Sequence, residues 1–377
     1  MRILVAPDKF KGCLTAAEVA KEIGAGIQEI LPKAEIDVIP IADGGDGTAE
    51  VLCQALGGSW INCPAHDPLG RQIECRYAIL DEHKIAVIEM SEAAGMRRLT
   101  EAELDPLKAT TFGVGELIVD AARRGVREIV VGLGGSATND GGFGLARALG
   151  YRFFDGEGIQ VRIAVNKLRT LKQIDTPRNL TLPPVVGAAD VRNPLYGPHG
   201  ATRVFGPQKG ADEAKVELLE KILKRMAKVV MRQVRPVSPE IPGAGAAGGL
   251  GFGLMAFVNA TLCPGFDLVS EMIGIENHIK RADVVVTGEG RLDAQTLDGK
   301  APAAIARLAR KHHKRVLAVV GEAQDEKIIG EVFHGVYQLR SPTVDKTESV
   351  KNARQLLRKR AGEMAKTLAE EWKKEGD

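Results

Sequence analysis

The sequence has few aromatic residues and almost no excess of charge of either sign. Phe, Trp and Tyr make up only 4% of its 377 residues, so few side chains are available to stack on nucleic-acid bases. Lys and Arg number 51 and Asp and Glu number 49, which leaves a formal net charge of +2. Because no basic field attracts a polyanion, the composition argues against a nucleic-acid-binding protein.

Cysteines are also few, and no two have the Cys-x-x-Cys spacing of a zinc or redox motif. Their number is five, and an odd number disfavours a complete set of disulfides. We interpret them as reduced, buried residues of a cytoplasmic protein. They are Cys13, Cys53, Cys63, Cys75 and Cys263.

Long apolar runs are missing as well. The N-terminal stretch MRILVAPDKF has the pattern of a short strand that ends in charge, and it lacks the apolar region of a signal peptide. The most apolar segment, residues 243–258, is broken by glycines and is too short for a membrane span. We therefore expect a cytoplasmic protein with neither a membrane nor a nucleic acid as partner, present as a monomer or a homodimer.

Strands and helices alternate at both ends of the chain, which predicts a parallel sheet with helices on its faces. Thr15 and Glu18 form a capping box that marks the start of the first helix. The predicted elements are strand 2–6, helix 15–31, strand 35–42, helix 46–56, strand 283–288, helix 301–312, strand 315–321, a short helix near 325–330, strand 335–339 and helix 347–372. This pattern predicts an α/β protein with a flavodoxin-like doubly wound parallel sheet domain built from both chain ends.

The middle of the chain has a different pattern. Two alternating strands within residues 73–90 are joined by a short turn and predict a hairpin. Helices 110–124, 143–149, 212–233 and 246–258 and strands 127–132 and 185–189 follow. We predict an inserted mixed α/β domain over residues 62–265 and a discontinuous domain of residues 1–61 and 266–377. The cleft between the two domains is then the expected ligand site.

The stretch GLGGSATNDGG, residues 132–142, lies between an apolar strand and a helix and contains five glycines. Backbone N–H groups at such a junction can approach an anion closely, and Ser136, Thr138 and Asn139 add donors. The structural alternative is a tight turn capped by Asn139 or Asp140. No Gly-Lys-Ser/Thr sequence follows, so the stretch is not a Walker A motif.

Charged residues follow the predicted parallel strands of the discontinuous domain, at the edge where such sheets bind ligands. A solvated turn, a helix cap and a salt-bridged surface loop are the structural alternatives for these segments. The residues concerned are Asp8, Lys9 and Lys11; Asp43 and Asp46; and Glu289, Arg291, Asp293 and Lys300. Asp190 ends a predicted strand of the inserted domain, and Lys209 lies beyond it. We interpret His66 as a structural loop residue rather than a substrate contact.

Six segments, in this order between residues 2 and 340, resemble the type 1 glycerate kinase family. They are APDKFKGCLTA, IADGGDGTAE, GLGGSATNDGG, ADVRNPL, FGPQKGA and TGEGRLDAQTLDGKAP. The resemblance implies ATP-dependent phosphorylation of D-glycerate with Mg²⁺ by a two-domain α/β protein. Bacterial members with this architecture are usually associated with 2-phosphoglycerate as the product.

The resemblance suggests roles for these residues, since phosphoryl transfer needs positioning, charge neutralisation and an orienting base. The expected nucleotide contacts are Gly134, Gly135, Ser136, Thr138, Asn139 and Asp140. The expected catalytic residues are Asp190, Lys9, Lys11 and Arg291, with Asp190, Asp43 or Asp46 as the base. The expected substrate contacts are Asp8, Asp43, Asp293 and Lys300, with Asp293 orienting Arg291. The expected Mg²⁺ ligands are Asp43 and Asp46.

Three other functions stay open at this point. One is a D-glycerate 3-kinase or a kinase of another small hydroxy acid, and a second is a non-catalytic two-domain anion-binding protein. The third is an NAD-linked oxidoreductase, which would use residues 132–142 as a dinucleotide fingerprint. This last function is disfavoured because the stretch is not Gly-x-Gly-x-x-Gly followed by an acidic residue about 20 positions on.

Overall fold

The structure is a computed structural model that describes residues 1–82, 84–162, 165–293, 301–324, 330–341 and 344–375. The chain divides into two compact units. Residues Met1–Asp43 and Phe266–Asp377 form the first, which we call the discontinuous unit. Residues Gly44–Gly265 form the second, which we call the inserted unit. Both units contain parallel strands, so the fold is a mixed α/β one.

The discontinuous unit is built on a five-stranded parallel sheet. Its strands, in spatial order, are Glu35–Val38, Arg2–Val5, Val284–Thr287, Arg315–Val320 and Gly335–Gln338. Counted along the chain, this order is 2-1-3-4-5, an order found in doubly wound sheets that bind ligands at the carboxyl ends of their strands. A separate pair of short parallel strands joins Arg291–Leu292 to Glu322–Ala323.

Successive residues of a strand point to opposite faces of the sheet, and both faces of this sheet carry apolar side chains. Helices cover both faces. On one face, Ile3 and Val284 pack in a cluster with residues of the helices Ala16–Ile30 and Ala353–Glu375. On the other, Leu4 packs in a second cluster. The helices there are Gly265–Ile273, Ile275–Arg281 and Ala301–Lys311, and the remaining one of the unit is Lys346–Lys351. The predicted capping box at Thr15 is confirmed.

The inserted unit contains a six-stranded mixed sheet. Its strands, in spatial order, are Thr261–Cys263, Val185–Ala188, Glu128–Gly132, Ile85–Glu89, Gln72–Leu80 and Ser59–His66. The first four are parallel to one another, and the last two add antiparallel pairings. The hairpin predicted within residues 73–90 is confirmed by the pairing of Ala78 with Val87.

The other elements of the inserted unit surround this sheet. Its α-helices are Thr48–Leu56, Ser91–Ala94, Phe112–Arg123, Phe143–Ala148, Ala201–Phe205, Glu213–Gln233 and Ala246–Val258. A smaller three-stranded sheet consists of Arg152–Phe154, Gln160–Val161 and Gln173–Asp175. One apolar core joins these elements, in which the rings of Phe143 and Phe153 meet edge to face at 4.8 Å.

Residues 44–61 belong to the inserted unit, whereas the sequence placed them in the discontinuous domain. The helix Thr48–Leu56 packs against the strands Gln72–Leu80 and Ile85–Glu89 through buried residues such as Leu52. The strand Ser59–His66 then pairs along its whole length with Gln72–Leu80. This antiparallel strand was not predicted, and its pairing fixes the preceding helix to the inserted sheet.

Smaller differences from the predicted elements concern their ends. The second strand stops at Val38, and Asn352 divides the last helix into two. Within the first turn of the glycine-rich helix, Ala247, Gly248 and Gly249 have left-handed conformations. The predicted helix near 325–330 lies mostly outside the described residues.

Two expectations drawn from composition are also tested by the structure. All five cysteines are free, but Cys13, Cys53 and Cys263 are only partly buried rather than fully buried. No helix in the described part of the chain is long and apolar enough to cross a membrane.

Candidate active site

Asp8, Lys9 and Asp43 lie together after two neighbouring strands of the discontinuous unit. The Lys9 ammonium is 3.3 Å from Asp43 Oδ1 and 3.6 Å from Asp8 Oδ1. The backbone N–H of Lys9 donates to Asp8 Oδ1 at 2.6 Å, and that of Asp8 donates to the Gly288 carbonyl at 2.8 Å. The predicted meeting of charged residues at this sheet edge therefore occurs for these three.

The Asp8 carboxyl is the most perturbed acid of this group. It is 6% exposed, and burial raises its pKa to about 6, with the nearby charge of Asp43 acting in the same direction and that of Lys9 opposing it. An acid that titrates near neutral pH is typical of a functional site.

Arg291 begins the short strand Arg291–Leu292, which follows the strand Val284–Thr287 in the same unit, and lies in a group of polar side chains. Its Nε is 3.5 Å from Asp293 Oδ2 and 3.5 Å from Glu322 Oε1. Its Nη2 donates to Gln324 Oε1 at 2.9 Å. Its side chain is 54% exposed. Asp293 is thus placed to orient Arg291, while the contribution of Glu322 was not predicted. Lys11 is exposed, and the predicted contact Lys300 lies outside the described residues.

In the inserted unit, the glycines of the stretch 132–142 bring backbones together. A β-carbon at Gly132 would lie 2.5 Å from the Gly44 carbonyl oxygen, and one at Gly134 would lie 2.6 Å from Gly45 Cα. Real side chains do not tolerate such distances. These glycines are therefore required where the segment 44–45 crosses the stretch, whatever ligand it binds.

Three of the predicted nucleotide contacts are buried side chains that bond to other parts of the inserted unit. Thr138, Asn139 and Asp140 are each 0% exposed. Asn139 Nδ2 donates to Thr202 Oγ1 at 2.9 Å, and Thr138 Oγ1 lies 3.5 Å from the Ala247 carbonyl. The structure therefore places these three side chains in the interior rather than on a ligand-facing surface, leaving Gly134 and Gly135 partly exposed and Ser136 at 6%.

Asp140 stabilises the turn before the helix Phe143–Ala148, although Gly142 is the N-cap residue of that helix. A tight turn fixed by Asp140 is close to the structural alternative that the sequence left open. Its carboxylate accepts the backbone N–H groups of Gly142 and Gly144 at 3.0 Å each and that of Thr111 at 2.9 Å. Burial raises the pKa of Asp140, and these hydrogen bonds lower it by stabilising the charged form. Asp140 thus fixes the turn and joins it to the segment before Phe112–Arg123.

Lys209 is a buried residue to which the sequence assigned no role. Its ammonium nitrogen donates to Ser136 Oγ at 2.7 Å and to the Thr138 carbonyl at 2.8 Å, and it is 1% exposed. Burial lowers its pKa to about 7, while the charge of Asp140 acts in the opposite direction. The only signal in the sequence is the position of this lysine in FGPQKGA.

Asp46 lies beside the exposed part of the glycine stretch. It accepts a hydrogen bond from the Ser91 hydroxyl, and a β-carbon built at Gly135 would be 2.9 Å from Asp46 Oδ1. It does not cap the helix that follows, because Glu89 Oε1 accepts the N–H groups of Gly47 and Ala49 at 3.0 Å each. Asp46 is partly exposed, so one side of its carboxylate can meet a ligand while the Ser91 hydroxyl orients it.

Asp190 follows the strand Val185–Ala188 and is partly buried. Its Oδ1 accepts the Gly265 N–H at 2.9 Å, which fixes the orientation of the carboxylate. Gly44 packs nearby, since a β-carbon there would be 2.7 Å from Gly265 Cα and 3.1 Å from Ala188 Cβ. The segment 44–46 therefore lies along the carboxyl ends of several parallel strands of this unit.

Among the residues that the structure describes, protein side chains alone do not form a metal site. The described residues contain no group of three or more His, Cys, Asp or Glu side chains that could hold a metal ion. Magnesium, however, commonly uses one or two carboxylates and completes its shell with phosphate oxygens and water. Of the two predicted ligands, Asp46 fits this chemistry better, because the Asp43 carboxylate already lies beside the Lys9 ammonium.

Parallel sheets with charged and glycine-rich loops at the carboxyl ends of their strands define an α/β enzyme that acts on a small ligand. The model of the glycerate kinase family matches residues 3–369. The chain belongs to this family. It is therefore a kinase, a phosphotransferase that acts on an alcohol group, and a kinase family implies the use of ATP.

Individual relatives agree with this assignment. The chain is 41% identical over 341 residues to the glycerate 2-kinase of Escherichia coli strain K12, with 89% of each chain covered. It is 39% identical over 339 residues to the glycerate kinase of Halalkalibacterium halodurans, covering 89% of this chain and 88% of the relative. A crystal structure from Salmonella typhimurium LT2, assigned as a glycerate kinase 2, is 38% identical and covers 99% of both chains with a TM-score of 0.86.

Proposed function

We propose that this kinase transfers the γ-phosphoryl group of ATP to D-glycerate and that the product is 2-phosphoglycerate. The observation that carries the proposal is the 41% identity, over 89% of the chain, to a protein named glycerate 2-kinase. The charged residues after the strands of the discontinuous unit support a small acid as the acceptor.

Lys9 and Arg291 are the proposed partners of the glycerate carboxylate and of the transferred phosphoryl group, with Lys11 as a further cation. Arg291 offers a planar fork that matches a carboxylate, and its contact with Asp293 holds that fork. Asp8 and Asp43 hold Lys9 in place and are proposed to contact the glycerate hydroxyls. Lys300 keeps its proposed role as a substrate contact on the strength of the sequence alone.

Asp190 is the proposed base that accepts the proton of the attacking hydroxyl. Its carboxylate is oriented by the Gly265 N–H and is partly exposed, which a base that meets a substrate requires. Asp8 is the alternative that the structure favours next, because a carboxyl with a pKa of about 6 accepts a proton more readily than an ordinary one.

The proposed nucleotide contacts are narrowed to Gly134, Gly135 and Ser136. The two glycines expose backbone at the start of the stretch, where an anion can be reached by N–H groups. Ser136 Oγ accepts from Lys209, so its own hydroxyl hydrogen is directed elsewhere and can be donated to a phosphate oxygen. Thr138, Asn139 and Asp140 are proposed to fix the shape of this loop from behind.

Asp46, with Asp43 as the second residue, is proposed to hold Mg²⁺ together with the phosphates. Bound there, Mg²⁺ would neutralise negative charge on the phosphate oxygens. The 2-1-3-4-5 strand order also supports a flavodoxin-like classification of the discontinuous unit.

A ³¹P NMR spectrum of the product formed from ATP, Mg²⁺ and D-glycerate tests the proposal. We expect a phosphorus signal split by the single proton on carbon 2. A signal split by the two protons on carbon 3 would correct the position of the phosphate. If glycerate stays unphosphorylated while another hydroxy acid in a coupled ADP assay is turned over, the acceptor is wrong.

A further inference from the structure

A cavity of the inserted unit is lined by none of the residues proposed above to bind or transform the substrates. Its volume is about 320 Å³, which suits a small organic molecule or part of one. The strand that ends at His66 supplies one wall, and the first residues of the helices Phe112–Arg123 and Phe143–Ala148 supply others. Leu69, Lys108, Arg147 and Val165 complete the part of the lining that matters here.

Arg147 supplies a positive charge to this cavity, and its guanidinium is partly buried between two aromatic rings. Its guanidinium carbon lies 5.3 Å from the ring centre of Phe112 and 5.5 Å from that of Phe143. Within the described parts of the chain, no carboxylate forms an ion pair with it. Burial lowers its pKa, the charge of Asp140 opposes this effect, and the charge of Arg162 adds to it. A partly desolvated cation whose neighbours are aromatic rings gains from an anion that shares its pocket.

His66 also lines this cavity. Its Nδ1 lies 2.9 Å and 3.0 Å from the two oxygens of Glu116, and its backbone N–H donates to Glu116 Oε2 at 2.8 Å. The imidazole also meets the Phe112 ring edge to face at 5.6 Å. Because Nδ1 is engaged by the carboxylate, Nε2 is the nitrogen that remains for a ligand.

The rest of the lining is apolar. Phe112 and Phe143 provide ring surface, and Leu69 and Val165 provide aliphatic surface. A ligand that satisfies both parts of the cavity therefore carries a negative group and a flat apolar body. Glycerate has no such body and does not fit this description.

We propose that this cavity binds a small aromatic anion, with its carboxylate or phosphate on Arg147 and its ring against Phe112. Two sources have this chemistry, namely an adenine nucleotide and an aromatic carboxylic acid. The proposal rests on the cavity alone and is independent of the acceptor and product proposed above.

Titration calorimetry with AMP and with benzoate as probes tests the proposal. At least one of them is expected to bind the wild-type protein, and Arg147→Gln is expected to weaken that binding by about 10-fold or more. Phe112→Leu keeps the apolar volume but removes the ring, and is expected to weaken it less. The matched control is Arg152→Gln, which removes an arginine of the same unit that pairs with Asp175 outside the cavity.

Absence of binding by both probes, or equal binding by the wild type and Arg147→Gln, would overturn the proposal. A measurement on the wild-type protein tests the proposal even if the Arg147→Gln variant fails to fold. The NMR signal of the His66 ring proton on Cε1, assigned with His66→Gln, is expected to shift when the bound probe is added. An unchanged signal at saturating probe would contradict the proposed site.

The two probes distinguish the sources. If AMP binds and adenosine does not, the ligand is a nucleotide, and Arg147→Gln should also raise the KM for ATP. If benzoate binds and AMP does not, the ligand is an aromatic acid, and the KM for ATP should stay unchanged. D-glycerate has the anion without the ring. We therefore expect that it does not bind in this cavity and that it leaves the His66 signal unshifted.

Discussion

The charged loops of the discontinuous unit and the glycine stretch of the inserted unit follow parallel strands in the same way, but they use their polar groups differently. Lys9 and Asp43 form an ion pair that remains partly exposed, and the Arg291 side chain is 54% exposed. Thr138 and Asp140, in contrast, are fully buried and bond within their own unit. A polar residue after a strand therefore indicates a ligand contact only where its side chain is accessible.

The largest effect that this difference predicts is on stability, at Gly142. Its φ is +80°, and a β-carbon there would be 2.7 Å from Gly253 Cα. We expect Gly142→Ala to lower the free energy of unfolding by about 3 kcal/mol or more, because strain and overpacking add. Urea unfolding followed by circular dichroism measures the loss.

Gly70→Ala is the matched control for this substitution. Gly70 has nearly the same φ, +82°, but a β-carbon there meets nothing within 4 Å. Gly70→Ala should therefore lower the free energy of unfolding only by the strain of a left-handed alanine, about 1–2 kcal/mol. Equal losses at the two positions would show that packing in the stretch does not require glycine.

Lys9→Met tests the exposed charges of the other unit. If Lys9 neutralises the moving phosphoryl group, kcat should fall by about 100-fold or more. Stability should change by less than about 1 kcal/mol, because the ion pairs of Lys9 are partly exposed. Lys21→Met, an exposed lysine on the helix Ala16–Ile30, is the control, and a wild-type kcat for Lys9→Met would remove Lys9 from the mechanism.

Arg291→Lys is expected to have a smaller effect, on substrate affinity. A point charge replaces a planar fork, so the KM for glycerate should rise by about 10-fold while kcat changes less. Steady-state kinetics with Arg354→Lys as the control, an arginine that pairs with Glu18, measures this difference. An unchanged KM would mean that Arg291 does not bind the acid.

The smallest predicted effect is a pH dependence of stability that comes from Lys209. Its pKa is about 7 in the folded protein against an ordinary 10.5, so the unfolded chain binds more protons between these values. The stability of the folded protein with a neutral Lys209 amine is therefore fully present above pH 10.5 and is lost as the pH falls through about 7. Between pH 7 and pH 8 it should change the free energy of unfolding by about 1 kcal/mol.

Lys209→Met should remove that pH dependence, which urea unfolding at several pH values measures. Lys215→Met is the control, because Lys215 lies in the same unit but is paired with Asp105 at 3.1 Å. If the slope persists in Lys209→Met and is the same in the control, another group causes it.

The elements that the sequence predicted well are those with local signals. The capping box of Thr15 and Glu18 and the apolar strand Val284–Thr287 depend on neighbouring residues, and the structure has both. The burial of Asp140 and Asn139 was not predictable, because their partners Thr111 and Thr202 are 29 and 63 residues away. Their residue types suit a loop that binds an anion equally well.

The domain boundary was missed for the same physical reason. The helix Thr48–Leu56 has an amphipathic pattern that fits either sheet, so its sequence does not reveal which one it covers. The pairing of Ser59–His66 with Gln72–Leu80 decides this, and strand pairing is a tertiary property. Among the proposed site residues, the meeting of Lys9 and Asp43 was predictable because parallel strands end at a common edge.

The connectivity of the five-stranded sheet of the discontinuous unit has a consequence for synthesis on the ribosome. The strand Arg2–Val5 pairs with Val284–Thr287, and Thr287 Oγ1 donates to the Ala6 carbonyl across 281 residues of chain. The strand Arg2–Val5 can therefore pair with Val284–Thr287 only after most of the polypeptide has been synthesised. Every strand of the six-stranded sheet, in contrast, has been synthesised once Cys263 is reached. Because nascent domains generally fold as units, the inserted unit can fold before the sheet that encloses it in sequence is complete.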